Sequence, residues 1–313
     1  MFRLWLLCLG LVFGSAGAQD AGALRARHAA LLDELTKNPF GRPLHVESRD
    51  ASGGQQGDIY AILDLPFKRV APALQDDNRW CGILILPPNV KRCESDGALA
   101  LYVARKPQDP LEDAYRVELR YELAAATAEY LRVGLSAPTG PFGTKDYRIR
   151  LEAAPLDAQR TFIHLSYSYG LGLAARIAMQ GYFATSGRDK VGFTVVDRLP
   201  DGRPVYVDGA RGLVERNAMR YYLAVEAYLQ SLGTPPAERL ETRLRDWYAA
   251  VERYPQLDED VNRDEYLRMK RQEAGRDAAH AGSNLAEGEA SQGGTSHGSV
   301  EDSRGRERLR GDR

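Results

Sequence analysis

The sequence is poor in the residues that build metal and redox sites. Its 313 residues include only three cysteines and five histidines, and no two cysteines form a C-x-x-C pair. His28, His45 and His164 lie far apart along the chain, so the spacing of a zinc site is absent. P-loop, G-x-G-x-x-G and H-E-x-x-H motifs are also missing. We therefore expect no cofactor, no metal and no catalytic constellation of these kinds.

The charges nearly cancel, and a membrane-spanning apolar run is missing. Lysine and arginine total 42 and aspartate and glutamate total 43, which leaves a net charge of −1 at pH 7. Such a balance provides no electrostatic basis for binding nucleic acid or an anionic membrane. The apolar run Leu4–Phe13 is too short to cross a bilayer. Neither a nucleic-acid partner nor a transmembrane segment is predicted.

The start of the chain is typical of a secretory signal peptide. Arg3 precedes the apolar run, and the small residues Ala16–Ala18 follow it as a cleavage site. We predict that residues 1–18 are removed and that the protein is periplasmic or secreted. Cleavage leaves Cys81 and Cys93, and an even pair in an oxidising compartment is a disulfide candidate. Two buried thiols that act as small apolar side chains are the alternative.

Residues 44–168 read mostly as strands. In Tyr115–Leu123 every second residue is apolar and the residues between them are Arg or Glu. This alternation indicates an antiparallel sheet with one covered face and one face in water. Ile83–Leu86 and Val90–Glu94 also fit a strand period, whereas Pro66 is placed to open a short helix.

A long helix is predicted over Arg211–Leu232. Apolar residues recur there every three or four positions, so they share one face, and the helix is about 33 Å long. That length suffices to cover a small sheet. Residues 19–43 and 233–271 read as helical segments on either side. Residues 272–313 contain no aromatic residue, and we predict that they form a disordered tail.

This order of elements, with the spacing from Pro66 and Phe67 to Trp80, resembles the START-like (SRPBCC) superfamily of helix-grip proteins. That superfamily includes polyketide cyclase-like and lipid-transfer-like proteins, and the resemblance covers residues 44–232. It implies an α+β fold in which a curved antiparallel sheet grips a long C-terminal helix. It also implies a cavity between sheet and helix that holds a lipid or another hydrophobic molecule.

The first functional hypothesis is therefore a carrier that binds a hydrophobic or lipid-like ligand without chemistry. Its candidate ligand-binding residues are those on the presumed inner strand faces and the long helix: Tyr115, Val117, Leu119, Tyr121, Tyr147, Ile149, Leu151, His164, Ser166, Arg220 and Tyr221. The alternative for the apolar rows is that they simply pack against the helix as core.

Two further hypotheses come from other functional classes. A cyclase- or hydrolase-like enzyme would use His164 as its acid or base, if the strand face that carries His164 and Ser166 lines the cavity. A structural or interaction protein of the cell envelope would have a solid core and would dock a partner through its C-terminal helices. A histidine on the wet face of the sheet would remove the basis of the enzyme hypothesis.

Overall fold

The structure is a computed structural model that describes residues 16–51, 53–95, 98–185, 187–257 and 261–276. The predicted signal peptide and tail lie largely outside these residues. The chain divides into two units, Met1–Lys270 and Arg271–Arg313. The strands and helices named below all belong to the first unit. In the second unit, residues 271–276 are helical, so the first described residues of the predicted tail have regular structure.

The first unit is built around an antiparallel sheet of eight strands. In chain order these are β1 (Leu44–Ala51), β2 (Gly54–Leu63), β3 (Val90–Glu94), β4 (Leu99–Val103), β5 (Tyr115–Ala126), β6 (Leu131–Thr139), β7 (Thr144–Pro155) and β8 (Thr161–Leu171). Their spatial order is β1-β2-β8-β7-β6-β5-β4-β3. The alternation of apolar and polar residues along each strand gives the sheet one apolar and one polar face, because successive side chains of a strand point to opposite sides.

The helices lie around this sheet. They are α1 (Ala16–Ala30), α2 (Leu32–Thr36), α3 (Phe67–Leu74), α4 (Cys81–Leu84), α5 (Leu173–Ala184), α6 (Gly209–Ser231) and α7 (Arg239–Val251). A second, two-stranded sheet pairs β9 (Val195–Arg198) with β10 (Pro204–Tyr206). Residues 263–270 are also helical. Within the described residues, no helix is both long and apolar enough to cross a membrane.

Helix α6 is the predicted long helix, and it packs on the inner face of the sheet. Among the strands, it packs mainly against β1, β2 and β8. A Cβ atom at Gly57 of β2 would lie 2.9 Å from the carbonyl oxygen of Val214, so only glycine permits this approach of helix and strand. Val214, Ala218 and Val225 of α6 are almost fully buried in one core with the inward residues of the sheet.

The outer face of the sheet is covered at one end by α1. Ala21 and Leu24 are buried against Tyr60, Tyr130 and Phe162, which form a second, smaller apolar cluster. Three ion pairs flank this contact: Arg25 with Glu129, Arg27 with Glu47, and Asp20 with Arg132. The remainder of the outer face, over β5 to β8, carries charged side chains as the alternation predicts.

One predicted strand is wrong. Ile83–Leu86 was expected to be extended, but Ile83 and Leu84 lie in the short helix α4. Asp76 accepts a hydrogen bond from the backbone N–H of Asn78 and starts a turn that continues directly into α4. Short apolar runs do not distinguish a strand from a buried helical turn, and this run follows directly on the turn that Asp76 caps.

The predicted disulfide is present. Cys81 of α4 and Cys93 of β3 are bonded, with an S–S distance of 2.00 Å and a Cα–Cα distance of 5.3 Å. The bridge ties the helical segment under the sheet to the edge strand. Nearby, the Trp80 indole donates to the carbonyl oxygen of Leu74, so this segment is held by both covalent and polar contacts.

Candidate functional site

A pocket of about 440 Å³ opens where the inner face of the sheet meets the start of α6. The turn between β1 and β2, the end of β8 and helix α5 form its walls. Leu171, Met179 and Phe183 supply apolar lining, and Gln55, Arg176 and Gln180 supply polar groups. Most small-molecule sites in proteins are 300–1,000 Å³ in volume and combine an apolar lining with a few polar groups. This pocket has both properties.

The sequence builds this pocket through the insertion between β8 and α6. Gly172 precedes α5, and the helix turns Met179 and Phe183, which are four positions apart, toward the same side. Gly53 has a φ of +78° in the tight turn between β1 and β2, a conformation that favours glycine. The turn and the helix face each other across the pocket.

Two buried polar atoms at this end of the sheet have no hydrogen-bond partner within the described residues, and one of them belongs to Gln55, which lines the pocket. They are Oε1 of Gln55 and the hydroxyl of Tyr169. Gln55 and Tyr169 are direct cross-strand neighbours on β2 and β8, so both side chains lie on the inner face. The amide nitrogen of Gln55 donates to Asp50 at 2.8 Å, which fixes the amide. An unsatisfied buried polar group costs about 1–3 kcal/mol, so a polar partner, either a water molecule or a ligand group, would stabilise this pair.

A chain of phenols continues from Tyr169 into the interior. The ring centroids of Tyr167 and Tyr169 are 5.9 Å apart. The Tyr167 hydroxyl donates to that of Tyr147 at 2.8 Å, and the hydroxyls of Tyr147 and Tyr221 are 3.3 Å apart. Burial raises the pKa of all four phenols, which therefore stay neutral near pH 7. Neutral phenols can both donate to and accept from a ligand.

The structure brings together most of the predicted lining residues. Val117, Leu119, Tyr147, Ile149 and Leu151 are buried on the inner face in one core with α6, and Tyr221 packs against it. Packing of these rows against the helix was the stated alternative to ligand binding.

Three predicted residues need separate comment. The Tyr121 hydroxyl donates to the carbonyl oxygens of Leu74 and Gln75, so it holds the segment at the end of α3. Tyr115 is 44 % exposed at the end of its strand, and the prediction that it lines the interior is wrong. Arg220 lies beside the phenols, where its guanidinium donates to Asn217 at 3.3 Å.

The topology decides the fold assignment. An antiparallel sheet encloses a 23-residue helix near the C-terminal end of the domain, and α3 and α4 lie between β2 and β3. This is the helix-grip arrangement.

The chain has a START-like fold.

Comparison with solved structures gives a distant likeness of the same kind. A Zhui aromatase/cyclase from a Streptomyces species is 18 % identical with a TM-score of 0.32, over 66 % of this chain and 96 % of that one. A START superfamily protein from Mycobacterium smegmatis is 11 % identical with a TM-score of 0.28, over 45 % and 93 %. Norcoclaurine synthase from Thalictrum flavum is 11 % identical with a TM-score of 0.29, over 44 % and 76 %.

These likenesses are too remote to say anything about ligand or activity, and the fold assignment rests on the topology. The sequence matches no protein-family model and resembles no curated protein.

His164 and Ser166 lie on the opposite face of the START-like sheet, so the prediction that they line the interior with the phenols is wrong. The alternation of β8 turns Ile163, Leu165 and Tyr167 inward, and His164 therefore points outward. The imidazole stacks on Tyr60, with ring centroids 4.3 Å apart.

Two carboxylates hold the His164 ring. Nε2 lies 2.8 Å from Oδ1 of Asp58, and Nδ1 lies 3.0 Å from Oε2 of Glu152. Burial lowers the pKa of His164, but the hydrogen bonds that the ring donates to both carboxylates outweigh this effect and the net pKa is raised. Burial raises the pKa of Glu152, whereas the bonds from His164 and Tyr130 lower it to about 2. Both ring nitrogens are thus engaged, and the cluster stabilises the sheet as an ionic bridge between β2, β7 and β8.

We predict that His164 makes the stability of the protein depend on pH. Its pKa is raised in the folded state, so its contribution is complete below its unfolded pKa of 6.5 and is lost as the pH rises through the folded pKa. The lowered pKa values of Asp58 and Glu152 act at the acid end, below about pH 4. Urea unfolding at pH 5.5 and pH 8.5 measures the effect, with lower stability expected at pH 8.5.

The matched variant is His164→Gln, which keeps a polar side chain without the titration. The loss of stability between pH 5.5 and pH 8.5 should be smaller in this variant than in the wild type. An equal loss in both proteins would contradict the assignment of the pH effect to His164.

Sequence reasoning missed Gln55, Tyr169 and the apolar residues of α5. In the sequence-based prediction the strand face that carries His164 and Ser166 lines the cavity, whereas in the structure the opposite row, which contains Tyr169, faces inward. Which row of β8 faces α6 depends on how β8 pairs with its neighbours β2 and β7, and one sequence does not show that pairing.

Proposed function

We propose that the protein is an exported carrier that binds an amphipathic small molecule, with an apolar body and a polar group, at the mouth of the START-like domain. The observation that carries this proposal is the cross-strand pair of unpartnered buried atoms, Gln55 Oε1 and the Tyr169 hydroxyl, beside an apolar pocket. Gln55 would accept a hydrogen bond from the ligand, and Tyr169 would donate one.

The remaining parts of the pocket fit the same ligand class. Leu171, Met179 and Phe183 would bury the apolar body, and the phenols behind Tyr169 provide further polar contacts toward the interior. Arg176 at the rim can meet an acidic group. This assignment moves the binding residues from the middle of the sheet, where side chains pack closely against α6, to one end of it.

Export is part of the proposal. It is supported by the predicted signal peptide and by the Cys81–Cys93 disulfide, since disulfides persist in the periplasm and outside the cell. The enzyme hypothesis loses its candidate acid or base, because His164 lies outside and both of its nitrogens are engaged.

Filling the pocket tests its role. Met179→Trp adds volume on the side of α5 that lines the pocket, whereas Leu173→Trp adds the same group where the side chain is 77 % exposed. Titration with the fluorescent dye anilinonaphthalene sulfonate should show at least a tenfold loss of affinity in Met179→Trp and little change in Leu173→Trp. Equal affinity in the two variants would exclude this pocket as the binding site.

The Tyr169 hydroxyl allows a sharper test. In the ligand-free protein it is an unsatisfied buried group, so Tyr169→Phe should leave stability unchanged or raise it. The same change should weaken dye binding about threefold to tenfold, because a hydrogen bond to the ligand is lost. Tyr102→Phe, on the far strand β4, is the matched control for dye binding and should leave the affinity for the dye unchanged. A clear loss of stability in Tyr169→Phe would mean that the hydroxyl is already satisfied.

A further inference from the structure

The outer face of the sheet carries a groove of about 680 Å³ that is separate from the pocket. It runs over β5, β6, β7 and β8, beyond the area that α1 covers. Strand pairing places one row of side chains straight across its floor: Arg120, Ser136, Arg148, Ser168 and Gln56. A second row lies beside it: Glu122, Gly134, Arg150 and Ser166. Arginine is thus repeated on alternate strands of the groove.

The arginines of the first row have no internal partner. Arg120 and Arg148 are exposed, and within the described residues their side chains form no hydrogen bond or ion pair. By contrast, Arg116 on β5 pairs with Glu118, and Arg132, which also lines the groove, pairs with Asp20. Arginine binds carboxylates through two parallel hydrogen bonds, so an unpaired guanidinium in a groove is well suited to an anionic group.

The spacing and the other charges indicate which anion fits. Arg120 and Arg148 are two strands apart, which corresponds to about 10 Å. Carboxylates three residues apart in an extended peptide of polyproline II conformation lie on the same side and are separated by about 9 Å, close to this distance. Glu122 and Asp146 also line the groove and would repel a continuous polyanion such as nucleic acid or polyphosphate. A peptide with acidic residues at intervals can place its carboxylates on the arginines and its neutral residues near Glu122.

We propose that this groove binds an extended acidic segment of a partner protein, with Arg120 and Arg148 as the two anchoring residues. Ser136 and Ser168 stand beside them in the same row and can hydrogen-bond to the peptide backbone. The groove and the pocket lie on opposite faces of the sheet, so partner binding and ligand binding are compatible with each other. This inference does not depend on the ligand proposal.

Fluorescence anisotropy with a synthetic nonapeptide tests the proposal on the full mature chain. The probe is a labelled Gly/Ser peptide with glutamate at its second, fifth and eighth positions, and the matched peptide has glutamine there. The glutamate peptide should bind, and raising the salt concentration should weaken its binding. The double variant Arg120→Gln/Arg148→Gln should lose at least about tenfold in affinity, as expected for two charge contacts.

The control variant is Arg198→Gln/Arg203→Gln, which removes the same charge from the exposed β9–β10 hairpin. It should bind the glutamate peptide as the wild type does. Three results would each overturn the proposal: equal binding of the glutamine peptide, an equal loss in the two double variants, or binding of polyphosphate at least as tight as that of the peptide. Circular dichroism shows that each variant is folded before it is titrated.

Discussion

Replacing Glu215 by alanine should lower the free energy of unfolding by about 3–5 kcal/mol, because several buried donors lose their acceptor and each one left unsatisfied costs about 1–3 kcal/mol. Glu215 is fully buried in α6. Its carboxylate accepts hydrogen bonds from the hydroxyls of Ser48 and Thr194, both at 2.6 Å, and from the backbone N–H groups of Phe193 and Thr194. Alanine would leave these donors buried and without an acceptor.

Urea unfolding followed by circular dichroism measures this effect. Gln230→Ala is the matched control, because Gln230 is exposed on the same helix, and its loss should stay below about 0.5 kcal/mol. A decrease of less than about 1 kcal/mol in the unfolding free energy of Glu215→Ala would show that the carboxylate does not hold α6, β1 and the residues after α5 together. The expected loss also matters for function, because this contact positions the insertion that forms one wall of the pocket.

Reducing the Cys81–Cys93 disulfide should destabilise the protein by about 3 kcal/mol. The bridge closes a loop with a sequence separation of 12 residues, and loop-closure entropy predicts a loss of that size for so short a loop. Urea unfolding with and without a reducing agent measures this loss on the same polypeptide, without any substitution. The double variant Cys81→Ser/Cys93→Ser should be less stable than the oxidised wild type and should not respond to the reducing agent.

Two results would contradict this expectation. One is an oxidised protein that labels with a thiol reagent after denaturation, because the bridge would then not form. The other is a wild type whose stability is the same in both conditions. The expected dependence on oxidation also fits the proposed export, since a protein stabilised by this disulfide would be less stable in a reducing compartment.

The fold was predictable where the sequence is strongly periodic. The long helix was expected over Arg211–Leu232 and is found at Gly209–Ser231, and the strand Tyr115–Leu123 lies within β5. Both segments repeat their apolar residues over several periods, so the repeat distance distinguishes a helix from a strand. Ile83–Leu86 has too few residues to define a period, and part of it continues the helical turn that begins after Asp76.

The candidate site was much less predictable. A strand shows which residues share a face, but one sequence does not show which face the helix covers, so His164 was placed inside and Tyr169 was overlooked. Gln55 lies in a stretch rich in glycine and glutamine, a composition typical of a turn, whereas in the structure it belongs to β2 and lines the pocket. The missing partners of Gln55 and Tyr169 are a property of packing in three dimensions.

The central claim, that the pocket beside Gln55 and Tyr169 holds an amphipathic small molecule, is tested most directly by native mass spectrometry of the protein purified from its own compartment. We expect a bound species that solvent extraction releases, that is absent from Met179→Trp and that persists in Leu173→Trp. An empty wild-type protein, or a species retained equally by both variants, would contradict the claim.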